Sequence, residues 1–509
     1  MLVLVLLVGA STWGFAQTTF ERMIPIEGCS VELPGPECVA AGDDGYIVNV
    51  PLGIWNTLLY DHRIMKLSTD GDVIDELDYN VAGGRVVCYW QIVRLPFENR
   101  SYDQNHFLAV GGLCDPHDDV VNSTLTNIIF LVFNEELEVE YERIEDVSDI
   151  VEHYATWGRP RVVFDSNGNL VIATLARVNG GEFKRLYTHV ELNKVDWIRE
   201  ITNYVRESPE NVGWLWDFFP LNDGTYRQVE VITGPGGVGY RINSDFEAEK
   251  ILEFRDIRFH RGGYSFTPNL LDCGGHAMLD DSTLFIPATM HGPTDGIGTM
   301  EMSADFDTIM ANILDFADND TIERIFSRHP VILKGDDLYM CYTRDMHSWH
   351  PSQAAYTILC KYDTNLNLIW KRWYRDPERN FCYYATDMTA TNDNGMLITG
   401  YCCKREDYGN MKLYLLKVDT NGLLSLPEAE VQVCPYDYYP NPVKNQLLMQ
   451  FSPDVQPAQV ELYDLQGRLV HTQIKAFESI DMSQLPAGTY TMRVILEDGK
   501  AYSDKMVKE

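Results

Sequence analysis

At 509 residues, with 45% hydrophobic and 12% aromatic residues, the chain is too long for one small domain and rich enough in apolar material to exclude a disordered protein. Its 41 Lys and Arg against 75 Asp and Glu give a formal charge of -34. Such a surface repels phosphate backbones and anionic lipid, so nucleic acid and anionic membrane are excluded as partners.

The chain opens with MLVLVLLVGASTWGFAQ, an apolar run from Leu2 to Ala10 followed by Gly14-Phe15-Ala16 before Gln17. That small-residue pattern predicts a signal peptide over residues 1–16. The run is shorter than the roughly 20 apolar residues that cross a bilayer, so no transmembrane segment is expected. No Lys or Arg precedes it, and a basic n-region upstream of Met1 is the corresponding expectation.

All 11 Cys lie beyond this segment, and an odd number leaves at least one without an internal partner. Cys29 and Cys38 could form a local pair, while Cys341, Cys360, Cys382, Cys402 and Cys403 crowd the last third of the repeat region. No CxxC pair has zinc-finger spacing, so no metal and no cofactor are predicted.

Between residues 40 and 425 a turn followed by an apolar run occurs seven times, with runs starting after Gly45, His106, Asn169, Thr225, Thr283, Asp337 and Gly395. A second signal follows each of them, a short strand that ends in a polar turn, anchored on Leu67, Phe133, Leu192, Ile242, Met302, Tyr362 and Val418. Each unit therefore holds several short strands separated by Asp, Asn and Gly turns. One such sheet cannot bury both faces alone, and radial stacking leaves only short, protected edges. The expected fold is all-β, a seven-bladed β-propeller over residues 17–426. The seventh unit stops soon after Leu424, one strand short, and the segment from Gln17 to Ala40 is expected to supply that strand. The NDNGMLITG and LLKVDTNGLL pair resembles the repeats of secreted propellers from the Bacteroidetes, a resemblance that implies fold and leaves function open.

After a linker at 427–434, alternation resumes in NQLLMQFS, AQVELYDLQGRLVHTQ and GTYTMRVILEDGKAYSDKMVKE, which predicts a small Ig-like antiparallel β-sandwich over 435–509. Three landmarks lie here: YPNP at Tyr439, Pro440, Asn441 and Pro442; LYDLQGRLV around Gly467; and LPAGTYTMRV around Gly488, followed by a basic finish at Lys505 and Lys508. They closely resemble the type A C-terminal sorting domain of type IX secretion cargo from the Bacteroidetes. The resemblance implies passage to the periplasm, handling by the outer-membrane secretion machinery as partner, removal of the domain, and a mature protein at the cell surface or released. The cut is expected between about Pro427 and Pro435.

Candidate binding residues lie just before the turn signals: Trp157, Arg159, Trp214, Trp216, Asp217, His276, His329, Tyr383, Tyr384 and Asp387. Propeller geometry directs such loops to the axis or one face, where aromatic faces with a few polar groups suit sugar rings or peptide side chains. Arg and His in RFHRGG (258–263) and RDMHSWH (344–350) could neutralise a carboxylate and abstract a proton, and CDPHDD (114–119) carries metal-type ligands without a full set. No GxSxG, HExxH, Walker loop or dinucleotide fingerprint is present. Two readings stay open: a non-catalytic binding or adhesion platform for a glycan, host protein or envelope component, and a glycan-active lyase or hydrolase with its site on the propeller face.

Overall fold

The computed structural model describes residues 18–26, 36–40, 45–53, 60–78, 86–96, 105–114, 126–153, 160–207, 212–232, 237–254, 257, 259–261, 264–269, 275–291, 296–316, 323–324, 329–344, 354–405, 407–424, 436–451, 456–464, 468–496 and 501–509. The predicted signal segment and linker lie outside them, as do RDMHSWH beyond Arg344, CDPHDD beyond Cys114 and Cys29. The chain divides into two compact units, residues 1–425 and 426–509.

The first unit is built from seven antiparallel sheets of four to six strands among the described residues. The first sheet holds Glu37–Ala40, Tyr46–Gly53, Tyr60–Leu67 and Val73–Asp78 in that spatial order. The second to sixth follow over 86–146, 151–207, 212–253, 259–316 and 323–374. The seventh holds Phe381–Ala390, Met396–Lys404 and Asp407–Val418, with Phe20–Pro25 as its outermost strand. Each run expected after a turn signal is a central strand of its sheet: Tyr46–Gly53, His106–Cys114, Leu170–Val178, Tyr226–Ile232, Thr283–His291, Asp337–Arg344 and Met396–Lys404.

Successive sheets pack face to face through shared apolar clusters, and the seventh meets the first through Glu37–Ala40 and Phe381–Ala390. The packing is therefore cyclic and propeller-like. The closing strand is half of what the sequence suggested. Phe20–Pro25 pairs antiparallel with Asp407–Val418, in register Phe20 with Lys417, whereas Glu37–Ala40 opens the first sheet. One N-terminal segment thus contributes strands to two neighbouring sheets.

The second sequence signal is a turn held by its own first side chain. Asn134 Oδ1 accepts the amides of Glu136 and Glu138 at 2.9 and 3.0 Å, and Asp363 Oδ1 those of Asn365 and Asn367 at 2.9 and 2.8 Å. Asn243, Asp419 and Ser68 make the same pair of bonds. This side-chain mimicry of a backbone turn tolerates a left-handed residue next to it. That residue carries φ near +60° in Leu137, Phe246, Phe306 and Leu366. A left-handed non-glycine costs about 1–2 kcal/mol, which burial of a large apolar side chain offsets at roughly 1.5–3 kcal/mol. Each plug packs back on the preceding sheet: Phe246 stacks on Tyr187 at 5.0 Å, Phe306 sits over Gly239, and Leu137 joins Ile47 and Ile64. In the first and seventh sheets the plug position is Gly71 and Gly422, and there the outer strand of the preceding sheet supplies the aromatic instead, Phe20 and Trp370.

The second unit holds two antiparallel sheets, one of Tyr436–Tyr439, Gln446–Phe451 and Ser479–Asp481, the other of Leu469–Gln473, Pro457–Tyr463, Gly488–Leu496 and Ala501–Lys508. Both contribute to one core, with Tyr436, Leu447 and Ile480 from the first meeting Leu462, Met492 and Met506 from the second. Among the described residues no helix is long and apolar enough to cross a membrane.

Candidate functional site

The innermost strands of three sheets share a local irregularity. Register slips by one residue between Tyr89 and Gln91, between Leu215 and Asp217, and between Ala385 and Asp387. A bulge of this kind re-aims the side chain that follows it. In each case that side chain is polar and reaches into a neighbouring sheet. Gln91 Oε1 accepts the Val162 amide at 3.2 Å, and Asp387 Oδ2 accepts the Cys38 amide at 3.0 Å.

The two carboxylates also hold imidazoles. His276 Nδ1 lies 2.7 Å from Asp217 Oδ2, and His329 Nδ1 lies 2.8 Å from Asp387 Oδ1. The histidines occupy matching places, one residue before Ala277–Met278 and two before Val331–Lys334, the short inner strands of adjacent sheets. His276 stacks on Phe219 with centroids 3.8 Å apart, whereas the His329 side chain is 45% exposed. Binding a carboxylate through Nδ1 fixes the ring and leaves Nε2 as the presented atom. Among the described residues neither imidazole has a second hydrogen-bond partner.

Asp217 is buried, and burial pushes its carboxyl up. The His276 charge and hydrogen bond, the Arg161 guanidinium and the Phe218 amide at 2.9 Å outweigh that effect and hold it below the ordinary value. Arg161 in turn donates through Nη2 to the Trp216 carbonyl. Two buried donors, Arg161 Nε and Trp216 Nε1, have no acceptor among the described residues.

The sequence-predicted residues thus separate. Asp217 joins His276, and Asp387 joins His329. Trp216 is buried among Phe219, Val229 and Phe285, and Tyr383 stacks on Tyr414 at 4.7 Å and 3°, so both are packed as core between sheets. Tyr384 lies in the cluster between the seventh and first sheets. Trp214 stands opposite Val231 on strand Val212–Pro220. Trp157 and Arg159 lie outside the described residues. Of RFHRGG, Phe259–Arg261 is a short strand paired with Tyr264–Asn269. Sequence reasoning missed Gln91 and Arg161, the first residue of the short inner strand Arg161–Phe164. It also missed the buried pair between the third and fourth sheets, in which Arg185 donates to both oxygens of Glu230 at 2.6 and 2.9 Å. Among the described residues no three His, Cys, Asp or Glu side chains come together as a metal site.

In the second unit, the YPNP segment is stitched to the last strand. Asn441 Oδ1 accepts the Val507 amide at 2.9 Å, and Val443 donates to the Val507 carbonyl at 2.8 Å. Both X-Pro bonds, at Pro440 and Pro442, are cis, and Tyr439 is half exposed. Gly488 opens strand Gly488–Leu496 opposite Lys508, which is buried, and the Lys505 carbonyl accepts the Tyr438 hydroxyl at 3.1 Å. Gly467 lies outside the described residues.

Residues 437–509 match the sequence model of the secretion system C-terminal sorting domain. The chain is a type IX secretion cargo. The sorting domain takes this cargo across the outer membrane to the cell surface or the extracellular space. No curated protein matches it. Among solved structures, the cargo is similar to the extracellular domain of a putative hybrid two component system from B. thetaiotaomicron, at 11% identity and TM-score 0.39, covering 96% of this chain and 58% of that one. It is also similar to the NanB sialidase from Streptococcus pneumoniae, at 10% identity and TM-score 0.38, covering 81% and 71%. A Synechocystis apocarotenoid oxygenase shares 10% identity at TM-score 0.35, covering 68% and 76%. The cargo thus spans 58% of the first of these structures, and likeness at this level says nothing about activity.

Proposed function

We propose that the cargo is a secreted or surface-displayed seven-bladed propeller, residues 17–426, carried by an Ig-like sorting domain at 435–509 behind a linker at 427–434, and that it works as a non-catalytic binding platform for a glycan or an envelope or host protein. Seven sheets packed in a cycle and closed by Phe20–Pro25 support the architecture.

One observation carries the binding reading. Both oxygens of Asp217 and of Asp387 are engaged, on Phe218 and His276 in one case and on His329 and Cys38 in the other. These carboxylates act as staples between sheets, and a carboxylate so engaged does not serve as a general acid or nucleophile. What the staples present is a fixed imidazole edge, suited to directed hydrogen bonds with a ligand. Arg161 Nε, without an acceptor among the described residues, points the same way, because a buried donor so left costs about 1–3 kcal/mol that an acceptor atom relieves. Glycan arrays and pull-downs with the purified chain test this: a specific ligand lost in His276→Ala or Arg161→Met supports the platform, and turnover of a polysaccharide by the same preparation overturns it.

A second reading has an observation of its own. An imidazole oriented by a carboxylate through Nδ1 is also how a general base is held, and two such pairs favour a glycan-active lyase or hydrolase. On that reading His276→Ala and His329→Ala abolish turnover while leaving the thermal transition in place.

A further inference from the structure

Six cysteines whose side chains are described are buried: Cys38, Cys341, Cys360, Cys382, Cys402 and Cys403. Their positions on the strands sort them. Cys341 and Cys360 sit on adjacent strands of the sixth sheet but are not opposed, Cys341 facing Leu359 across the ladder and Cys360 facing Met340. They enter different core clusters, on opposite faces of that sheet. Cys402 faces the cluster of Tyr383 and Tyr414. Cys382 and Cys403 are different. They are directly opposed partners on Phe381–Ala390 and Met396–Lys404, on the same face of the seventh sheet, and both are fully buried in the cluster shared with the first sheet.

Opposed residues of an antiparallel ladder stand about 4.5–5.5 Å apart at Cα, inside the roughly 4.4–6.8 Å window that a disulfide spans. We propose that Cys382 and Cys403 form a cross-strand disulfide in the exported cargo, closing the hairpin of the last sheet against the cluster it shares with the first. The export route supplies the conditions, since the periplasm and cell exterior are oxidising compartments in which opposed thiols pair. The two thiols interact in the folded chain, where a hydrogen bond from Cys403 outweighs burial and draws the Cys382 thiol below its ordinary value.

The oxidant is a protein or small-molecule disulfide. The Cys382 thiolate attacks one of its sulfurs, forming a mixed disulfide and expelling the other sulfur as a thiolate. Cys403, losing its proton, then attacks the Cys382 sulfur, forms the S–S bond and releases the second thiolate. Two protons and two electrons leave the cargo, and the oxidant is reduced to a dithiol. Both sulfurs are buried once the sheets have packed. The bond therefore forms while the last sheet is still open, and reductants reach it afterwards only through unfolding.

The test is mass spectrometry on the cargo recovered from the periplasm or medium of an exporting cell, alkylated with iodoacetamide in denaturant without reductant and cut before aspartates. Such a cut places Cys382 in fragment 376–386 and Cys402 with Cys403 in fragment 393–406. The expected result is one linked species, 2 Da lighter than its reduced parts, labelled at Cys402 and separated by dithiothreitol. Folded cargo in dithiothreitol should keep the link, and denaturant should expose it. Labelled Cys382 and Cys403 in the exported protein, or Cys382 linked to Cys38 or Cys402, would overturn the proposal. Cys402→Ser should leave the linked species intact, whereas Cys403→Ser should leave Cys382 labelled. A Cys382 that stays linked in Cys403→Ser counts against the pairing.

Discussion

Phe20 lies across the face of Gly71, so close that a Cβ at Gly71 would stand 2.4 Å from the ring. The two residues belong to the strand that completes the seventh sheet and to a turn of the first, so this contact locks the cycle where it closes. Gly71→Ala should lower stability by about 1–3 kcal/mol through overpacking, with a further cost because its φ of +80° disfavours a side chain. Phe20→Ala should cost about 3–5 kcal/mol. Urea unfolding followed by tyrosine and tryptophan fluorescence measures both. A Phe20→Ala midpoint equal to wild type would show that the lock contributes nothing.

Arg185 and Glu230 are both buried, in adjacent sheets, with Arg185 over the Tyr240 ring at 4.0 Å. Removing one partner strands the other charge, so Glu230→Gln should destabilise by roughly 3–5 kcal/mol. Arg185→Met combined with Glu230→Leu should recover part of that loss, because no charge is left unpaired. A double-mutant cycle in urea reads the coupling, and additive losses would contradict it.

Acid should act on the first unit through Asp217. Its folded pKa lies below the unfolded value of about 3.9, so its contribution is fully present above that pH and is lost as pH falls through the folded pKa. Asp305, drawn down chiefly by its hydrogen bond to Arg241, behaves alike. Stability measured from pH 7 to pH 2 should hold down to about 4 and fall steeply below it. Asp217→Asn should be less stable at pH 7 and show a shallower acid slope. An unchanged slope would mean that the pair with His276 is not formed in solution.

Truncation after Pro486 removes Gly488–Leu496 and Ala501–Lys508, two paired strands that carry Met492 and Met506 of the core. The sorting domain then cannot fold, and the cargo should accumulate inside the cell envelope. Fractionation with surface protease on whole cells measures this. Asn441→Ala, which removes the acceptor for the Val507 amide, should give a milder export defect with a domain destabilised by about 1 kcal/mol.

What the sequence made legible was local. The seven polar turns could be read because Asn134, Asn243 and Asp363 hold the chain by bonds to residues two and four places on, so composition and geometry coincide. The strands after the first turn signal were readable for the same reason. The candidate site was only partly legible, because its contacts link distant positions: Asp217 with His276 is 59 residues apart, and Cys38 with Asp387 is 349. Nothing in the neighbourhood of Asp387 announces that its carboxylate staples the first sheet. Trp216 and Tyr383 looked like ligand platforms because an aromatic before a turn reads the same whether it faces a channel or a neighbouring sheet, and packing decides. The segment from Gln17 to Ala40 is expected to supply one strand, whereas its described residues divide between two sheets, Phe20–Pro25 in the seventh and Glu37–Ala40 in the first.

The pairing of Phe20 with Lys417 also sets a clock. A chain made from its N-terminus releases Phe20–Pro25 first, and this strand must remain unpaired until almost the whole unit has followed it. Six sheets can be assembled while the seventh waits for both ends. The sorting domain begins only a short stretch beyond the strand that ends this wait. The signal for leaving the cell thus emerges after the strand that completes the seventh sheet, and it becomes readable only once what it carries can be complete.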